Sequence, residues 1–439
     1  MPPTCYSTRD HNAQVTLVQA IARGYAPDGG LYMPSRIARL PQAFIDHMSQ
    51  MSLPDIAFAI ANHAIGGIVA ATTLRRIVAD TVNFPIPLVH TMANRFALEL
   101  FHGPTLNFKD VGARFMARTM VYLMRRAPAR GTIHVIVATS GDTGAAVANS
   151  FYGLDGVRVH VLFPRDEVNE LQQAQFTTLG GNVTALAVNG TYDDCKALVA
   201  AAFDDEELNR NMRLTTATSV NIARILPQTF YYFDAVAQLQ RLGIDTSQLV
   251  IAIPCANLGN LASGLMARAM GLPVKRFVAV ENANNIFYNY MQTGRFTPRP
   301  SVSSIAPALD AGNPANFERV VDLAGDRNRL LKLVHAYSYD DADIVQTMQQ
   351  TYNNEHYLVD PHGAIAYRAL QADLSDNETG VFLATAHPAK LKGTVERIVG
   401  CAVDVPAPLA RSLATIPHPV PMTSGYTAFR RYLTQQSVE

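Results

Sequence analysis

From about Pro85 onward the chain repeats one form: a short apolar, β-branched run, a turn rich in Gly, Ser, Thr or Asn, then a stretch with helical spacing of its apolar positions. Ile133 to Ala138 leads into the turn Thr139-Ser-Gly-Asp-Thr-Gly144 and a helix-like Ala145 to Tyr152. Val157 to Phe163 precedes a helix over Val168 to Leu179, and Val183 to Val188 precedes one over Tyr192 to Leu208. Leu249 to Ile253 runs through Pro254-Cys-Ala-Asn-Leu-Gly-Asn260 into an Ala/Leu/Met-rich helix ending at Met270, and a further strand follows at Phe277 to Val280. Gly380 to Ala384 runs into Thr385-Ala-His-Pro388 and a final helix. Such alternation predicts parallel sheets covered by helices, an α/β architecture in which ligands bind beyond the carboxyl ends of the strands. The first 85 residues differ, with helical patterns around Gln14 to Arg23 and Pro41 to Ala71, so they form a separate N-terminal region. The last stretch, 406–439, carries five prolines and is expected to wrap the surface.

Length and composition narrow the class. At 439 residues the chain has room for about three lobes. Its 36 basic and 36 acidic side chains cancel, which removes the long-range field that draws a protein onto nucleic acid or an anionic membrane. The expected partner is therefore a small molecule, with no nucleic acid and no membrane. Two uncharged stretches, Ile56 to Leu74 and Thr246 to Ala267, approach spanning length, yet Asn62, His63, Gln248, Pro254, Asn257 and Asn260 would lie unpaired in hydrocarbon. The N-terminus has no basic segment followed by an apolar one, and Cys5, Cys195, Cys255 and Cys401 are isolated, which suggests a reduced, cytoplasmic setting. No metal-ligand spacing is present.

Four segments could carry chemistry. The turn Thr139 to Gly144 sets hydroxyls and backbone N–H groups at a helix start, a place that attracts a carboxylate or phosphate and that also suits a plain helix cap. Asn257-Leu-Gly-Asn260 is a second turn of the same kind. In Phe101-His-Gly-Pro-Thr-Leu-Asn-Phe-Lys-Asp110, Lys109 is either a desolvated lysine able to form a Schiff base or a surface lysine paired with Asp110. In Thr218-Ser-Val-Asn-Ile-Ala-Arg224, Ser219, Asn221 and Arg224 gather at a helix entry, where an arginine opposes the helix dipole unless an anion binds; an ordinary cap at Ser219 with a solvated arginine is the alternative. His387, taken alone, reads as structural.

Together with Arg9-Asp-His-Asn12, Asp28-Gly-Gly-Leu-Tyr32, Asn313-Pro-Ala-Asn-Phe-Glu-Arg319, Asp360-Pro-His362 and Thr385-Ala-His-Pro-Ala-Lys390, these segments resemble, in order and over nearly the whole chain, the threonine synthase family of pyridoxal-phosphate enzymes. The resemblance implies the tryptophan-synthase-β-like fold (fold type II). It places an N-terminal region at 1–85, a catalytic region of two α/β lobes at 86–405 with the smaller lobe at about 110–235, and a tail at 406–439. It implies a carbon–oxygen lyase acting on a phosphate ester, O-phospho-L-homoserine, by γ-elimination and β-addition of water, the last step of threonine biosynthesis, in a monomer or homodimer.

The same resemblance assigns roles. Lys109 joins covalently to pyridoxal 5'-phosphate and then moves protons on the substrate. Asp142 lies near the cofactor's ring oxygen, Thr385 near its ring nitrogen, and Ala256, Asn257, Leu258, Gly259 and Asn260 cradle its phosphate. Thr139, Ser140 and Thr143 meet the substrate carboxylate; Ser219, Asn221 and Arg224 meet its phosphate. The chain departs from the family pattern at Asn107, at Ala256 where glycine is usual, at Pro227 within an expected helix, and at Gly363. Ala256 is expected to reshape the cradle and Pro227 to kink the helix. A related elimination or replacement enzyme and a non-catalytic relative of the fold are the alternatives; intact Lys109, Ser140, Asp142, Arg224 and Thr385 speak against the second.

Overall fold

A computed structural model of the chain describes residues 3–126 and 131–436. Strands β1 (Thr4–Ser7), β2 (Val15–Thr16) and β3 (Tyr32–Pro34) form a small antiparallel sheet in the order β2-β1-β3. The N-terminal region is thus helical with a sheet of its own. Its helix Leu53–Ile65 shows how the sequence sets the local structure: Ser52 caps it by accepting from the Asp55 N–H, and Ile56, Ala57, Ile60, Ala61 and Ile65 repeat at helical spacing along the buried face.

The remaining strands build two larger sheets. In chain order they are the hairpin β4 (Leu88–Met92) and β5 (Arg95–Glu99), then β6 (Ile133–Ala138), β7 (Val157–Pro164), β8 (Val183–Asn189) and β9 (Arg213–Thr215). After them come β10 (Leu249–Pro254), β11 (Arg276–Glu281), β12 (Val334–Ser338), β13 (Thr379–Ala384) and β14 (Val420–Thr423). The larger sheet runs β12-β11-β10-β13-β5-β4 and is parallel except at its β4 edge; the smaller runs β14-β8-β7-β6-β9 and is parallel throughout. Every residue of β6, β10 and β11 is buried, which is why these strands read as unbroken apolar runs rather than as an alternation.

Two expectations change. The tail does not simply wrap the surface: β14 pairs with β8 in the smaller sheet, and the helix Tyr426–Gln436 buries Phe429 and Leu433 beside it. Pro421 fits because β14 is an edge strand, where a missing N–H need not break a ladder. Pro227 does not kink a continuous helix. It sits in a single 3-10 turn, Leu226–Gln228, between the short helix Ile222–Ile225 and the helix Thr229–Arg241. Among the described residues no helix is long and apolar enough to cross a membrane.

Candidate active site

The cleft lies beyond the carboxyl ends of β6, β10 and β13, and its wall includes Lys109, Ser140, Asp142, Thr143, Ser219, Arg224, the run Ala256 to Asn260, and Thr385. Lys109 is held there by backbone pairing. The N–H groups of Leu100, Phe108 and His387 donate to Ala384 O (2.9 Å), Thr385 O (2.9 Å) and Leu106 O (3.1 Å), which laces segment 100–108 to the end of β13. Leu106 takes a left-handed backbone at φ 58 to allow this, and the helix Lys109–Met124 begins directly after it.

Asp110 is unavailable to Lys109. Its carboxylate accepts from the Thr105 N–H (2.8 Å) and the Thr105 hydroxyl (2.6 Å), and it crowds Gly103 so closely that a Cβ there would lie 2.5 Å from Oδ2. Lys109 instead turns into the cleft with its side chain 20% exposed, Nζ 4.0 Å from Asp142 Oδ2. Burial holds its ammonium below the ordinary lysine range; Asp142 opposes this, and Lys390 and Arg224 add to it. A desolvated lysine with a weakened hold on its proton is a nucleophile and a base.

The turn after β6 divides its work. Thr139 is buried and outside the cleft wall, because its Oγ1 accepts from the Gly141 and Gly144 N–H groups (2.9 and 2.8 Å). Its hydroxyl shapes the turn. Gly141 is required at φ 135, and a Cβ on Gly144 would strike Thr139 at 2.4 Å. The N–H groups of Asp142 and Thr143, in the first turn of the helix Asp142–Phe151, have no intrahelical acceptor, so this end of the cleft offers donors to an anion. The Asp142 carboxylate accepts from Lys390 Nζ (2.6 Å), Asn107 Nδ2 (2.7 Å) and Gln172 Nε2 (3.0 Å); despite its burial, the two nearby lysines hold it far below the usual carboxylate range.

The turn after β10 is the second donor cluster. Leu258 adopts a left-handed φ of 57 at the start of the helix Gly259–Ala269, a strain of about 1–2 kcal/mol for a residue with a side chain. Asn316 pins the turn by donating from its N–H (3.1 Å) and Nδ2 (2.9 Å) to Asn257 O, and its Nδ2 also reaches Ser219 Oγ (3.2 Å). The Asn260 Oδ1 accepts from both Tyr231 and Tyr232 hydroxyls (2.6 and 2.7 Å), which fixes the amide so that its buried Nδ2 has no acceptor among the described residues.

Arg224 is the third feature. It is 2% exposed, its Nη1 donates to Ala217 O (2.7 Å), and among the described residues no carboxylate is in ion-pair contact with it. Burial lowers it only to about 10, so it stays charged at neutral pH. Asn221, expected beside it as a ligand contact, is a brace. Its Oδ1 caps the helix at the Ala223 N–H (3.1 Å), its Nδ2 donates to Ile21 O (2.8 Å), and it lies outside the cleft wall. The cap of that helix is Asn221 rather than Ser219.

Several wall residues were not singled out beforehand. Gln228 stands in the wall with Arg224, Gln172 holds Asp142, and His362 anchors a loop: its Nδ1 meets Asp360 and its Nε2 accepts from the Ala308 N–H (3.2 Å). The proton is therefore assigned to Nδ1, and Nε2 is already engaged. His387 caps the turn Pro388–Leu391 by accepting from the Ala389 N–H (3.1 Å), the structural role expected of it.

Comparison with known proteins gives consistent results. Residues 93–386 match the family model "Pyridoxal-phosphate dependent enzyme" and residues 4–82 match "Threonine synthase N terminus". The chain is 40% identical to the threonine synthase of Serratia marcescens, over 96% of this chain and 97% of that one, and 39% identical to that of Escherichia coli, over 98% of each. Among solved structures it is similar to threonine synthase from Escherichia coli, with a TM-score of 0.91 and 38% identity over 99% of this chain and 100% of that one. It is also similar to a PLP-bound threonine synthase from Brucella melitensis, with a TM-score of 0.92 and 31% identity over the full length of both chains.

Proposed function

Because the chain belongs to the threonine synthase family of pyridoxal-phosphate enzymes, we propose that it converts O-phospho-L-homoserine and water into L-threonine and inorganic phosphate. The observation that carries the substrate is Arg224, a buried guanidinium without a carboxylate in contact among the described residues, in the wall of the same cleft as a desolvated lysine. An unpaired buried charge is costly, and a phosphate ester is the ligand that a planar fork of donors suits.

The cleft fits pyridoxal phosphate. The Asn260 Nδ2, without an acceptor among the described residues, and the N–H groups at the start of the helix Gly259–Ala269 suit a phosphate, and Lys109 suits an aldehyde. In this reading Lys109 holds the cofactor, Ala256 to Asn260 receive its phosphate, Asp142 lies by its ring oxygen, and Thr385 offers a neutral hydroxyl to its ring nitrogen. When bound, the cofactor supplies the electron sink that makes the substrate's carbon–hydrogen bonds acidic.

The chain's own residues do the rest. Ser140, Thr143 and the backbone N–H groups of Asp142 and Thr143 hold the substrate carboxylate, while Ser219 and Arg224, with Gln228 beside them, hold the phosphate ester. Fixing both ends of a short amino acid presents its Cα proton and then its Cβ proton to Lys109 Nζ, which accepts them and delivers one proton to Cγ and one back to Cα. Phosphate leaves from Cγ and water adds at Cβ. The departing phosphate, kept by Arg224, is the group that takes the proton from that water.

The enzyme is taken as a monomer or homodimer, as the resemblance to the family implies. The four unpaired cysteines suit a cytoplasmic enzyme. Borohydride reduction after loading with pyridoxal phosphate should leave the cofactor on the peptide containing Lys109; a protein that stays colourless on loading contradicts the reading.

A further inference from the structure

Asp142 serves two lysines unequally. Lys390 Nζ lies 2.6 Å from its Oδ1, and Lys109 Nζ lies 4.0 Å from its Oδ2. Two more donors sit on the same carboxylate, Asn107 at 2.7 Å on Oδ2 and Gln172 at 3.0 Å on Oδ1. Lys390 is itself immobilised. It is 2% exposed, sits in the turn Pro388–Leu391 that His387 caps, and donates from Nζ to Thr105 O (2.9 Å). Thr105 is in turn fixed by Asp110 and by Gln175 Nε2, which donates to the same carbonyl at 3.1 Å.

We propose that Lys390 is a positioning residue: it occupies the Asp142 carboxylate, fixes that side chain, and so leaves Lys109 without a close counter-ion and free to give up its proton. The charges facing Lys109 are Asp142, Lys390 and Arg224, with Asp110 behind it on the same helix and already bonded to Thr105. One carboxylate among three cations neutralises only the cation in contact, and the cation that is both desolvated and more distant loses its proton most readily. Burial first, and then Lys390 and Arg224 against the opposing pull of Asp142, hold the Lys109 ammonium below the ordinary lysine range. The inference rests on the reading of Lys109 as the lysine that takes the cofactor. It goes beyond that reading by giving a buried second lysine the task of tuning the first.

The test is the titration of Lys109 in the full chain without cofactor, read as the pH dependence of its acetylation by acetic anhydride and followed by peptide mass spectrometry. In Lys390→Met, Asp142 turns to Lys109, and the midpoint should rise by about one pH unit or more. Lys390→Arg should restore the wild-type midpoint. The double variant Lys390→Met with Asp142→Asn, which removes both charges, should lie below the single variant. In the loaded enzyme the acid limb of kcat should move with the midpoint. Lys390→Gln, which keeps a donor for Thr105 O, replaces Lys390→Met if the latter does not fold. An unmoved midpoint in a folded variant overturns the proposal, as does failure of both neutral variants to fold while Lys390→Arg folds, which would make the role structural. Cofactor reduced onto a lysine other than Lys109 would instead overturn the reading of Lys109 and leave the titration standing.

Discussion

Arg224 is a residue whose presence the fold alone does not justify. A buried guanidinium with no carboxylate in contact costs stability that a ligand can return. Replacing it with Met removes the cost of burying an unpaired charge but strands Ala217 O, so the stability of the free protein should change little. The replacement should lower kcat/KM for the phosphorylated substrate by roughly a hundredfold or more, the loss of a buried charged contact. Thermal unfolding with and without inorganic phosphate checks both: phosphate should raise the wild-type Tm and leave the variant's unchanged. Lys109→Ala should lose borohydride-fixed cofactor altogether and reduce phosphate release at least about a thousandfold.

Lys109, Ser140, Asp142 and Asn260, singled out from the sequence and its family resemblance, all stand in the cleft wall, at turns that follow strands. The resemblance implies ligand contacts at Thr139 and Asn221, but Thr and Asn at a helix entry can serve either a ligand or the backbone, and theirs are spent on Gly141, Gly144, Ala223 and Ile21. Lys390 and Gln172 escaped notice because each acts through Asp142 across 248 and 30 residues of chain. The one available signal was a lone lysine closing the motif Thr385-Ala-His-Pro-Ala-Lys390.

Among the elements, the strand–turn–helix units were legible because each is local, and their apolar runs follow from burial on both faces of a parallel sheet. The β14 strand was not, since pairing with β8 is a contact between distant segments, and Pro421 with the prolines just before it read as loop. That pairing makes the tail part of the smaller lobe. Phe429→Ala, at a fully buried position, should cost about 3–5 kcal/mol in urea unfolding.

The same lobe holds a pH-dependent contact. His134 Nδ1 meets His160 Nε2 at 3.1 Å with their rings stacked, and His160 Nδ1 meets the Tyr432 hydroxyl at 2.8 Å, which ties β6 and β7 to the last helix. Burial, with help from Arg158, lowers His134 from 6.5 to about 4; burial, then His134 and Arg158, lowers His160 to about 3. The unfolded chain therefore binds more protons than the folded one below about pH 6.5, so stability is complete above that pH and is lost as pH falls toward 4 and then 3. Urea unfolding across this window should show a loss of about 2 kcal/mol or more, and His160→Phe should flatten the slope.

At the scale of the molecule, Arg319 joins the parts around the cleft. It is fully buried, and it donates to Tyr32 O (3.0 Å) in the N-terminal sheet, to Val220 O (2.8 Å) and Ser219 O (3.2 Å) before Arg224, and to Asn316 beneath the Asn257 turn. The motifs Asp28 to Tyr32 and Asn313 to Arg319 are thereby explained as bracing rather than chemistry. Arg319→Met, which strands several buried carbonyls, should lower stability by about 3 kcal/mol or more and weaken cofactor binding in parallel, seen as a lower urea midpoint and a higher Kd for pyridoxal phosphate. Neutral net charge fits the same picture, since the charges that matter are gathered at the cleft: Lys109, Lys390, Arg224 and Asp142. The central claim is that this cleft binds a phosphorylated amino acid by both ends and exchanges its phosphate for water at the neighbouring carbon. Incubating the loaded enzyme with O-phospho-L-homoserine and measuring phosphate and threonine together tests it most directly. Equal amounts of the two are predicted; phosphate released with a keto acid in place of threonine, or no phosphate at all, would contradict it.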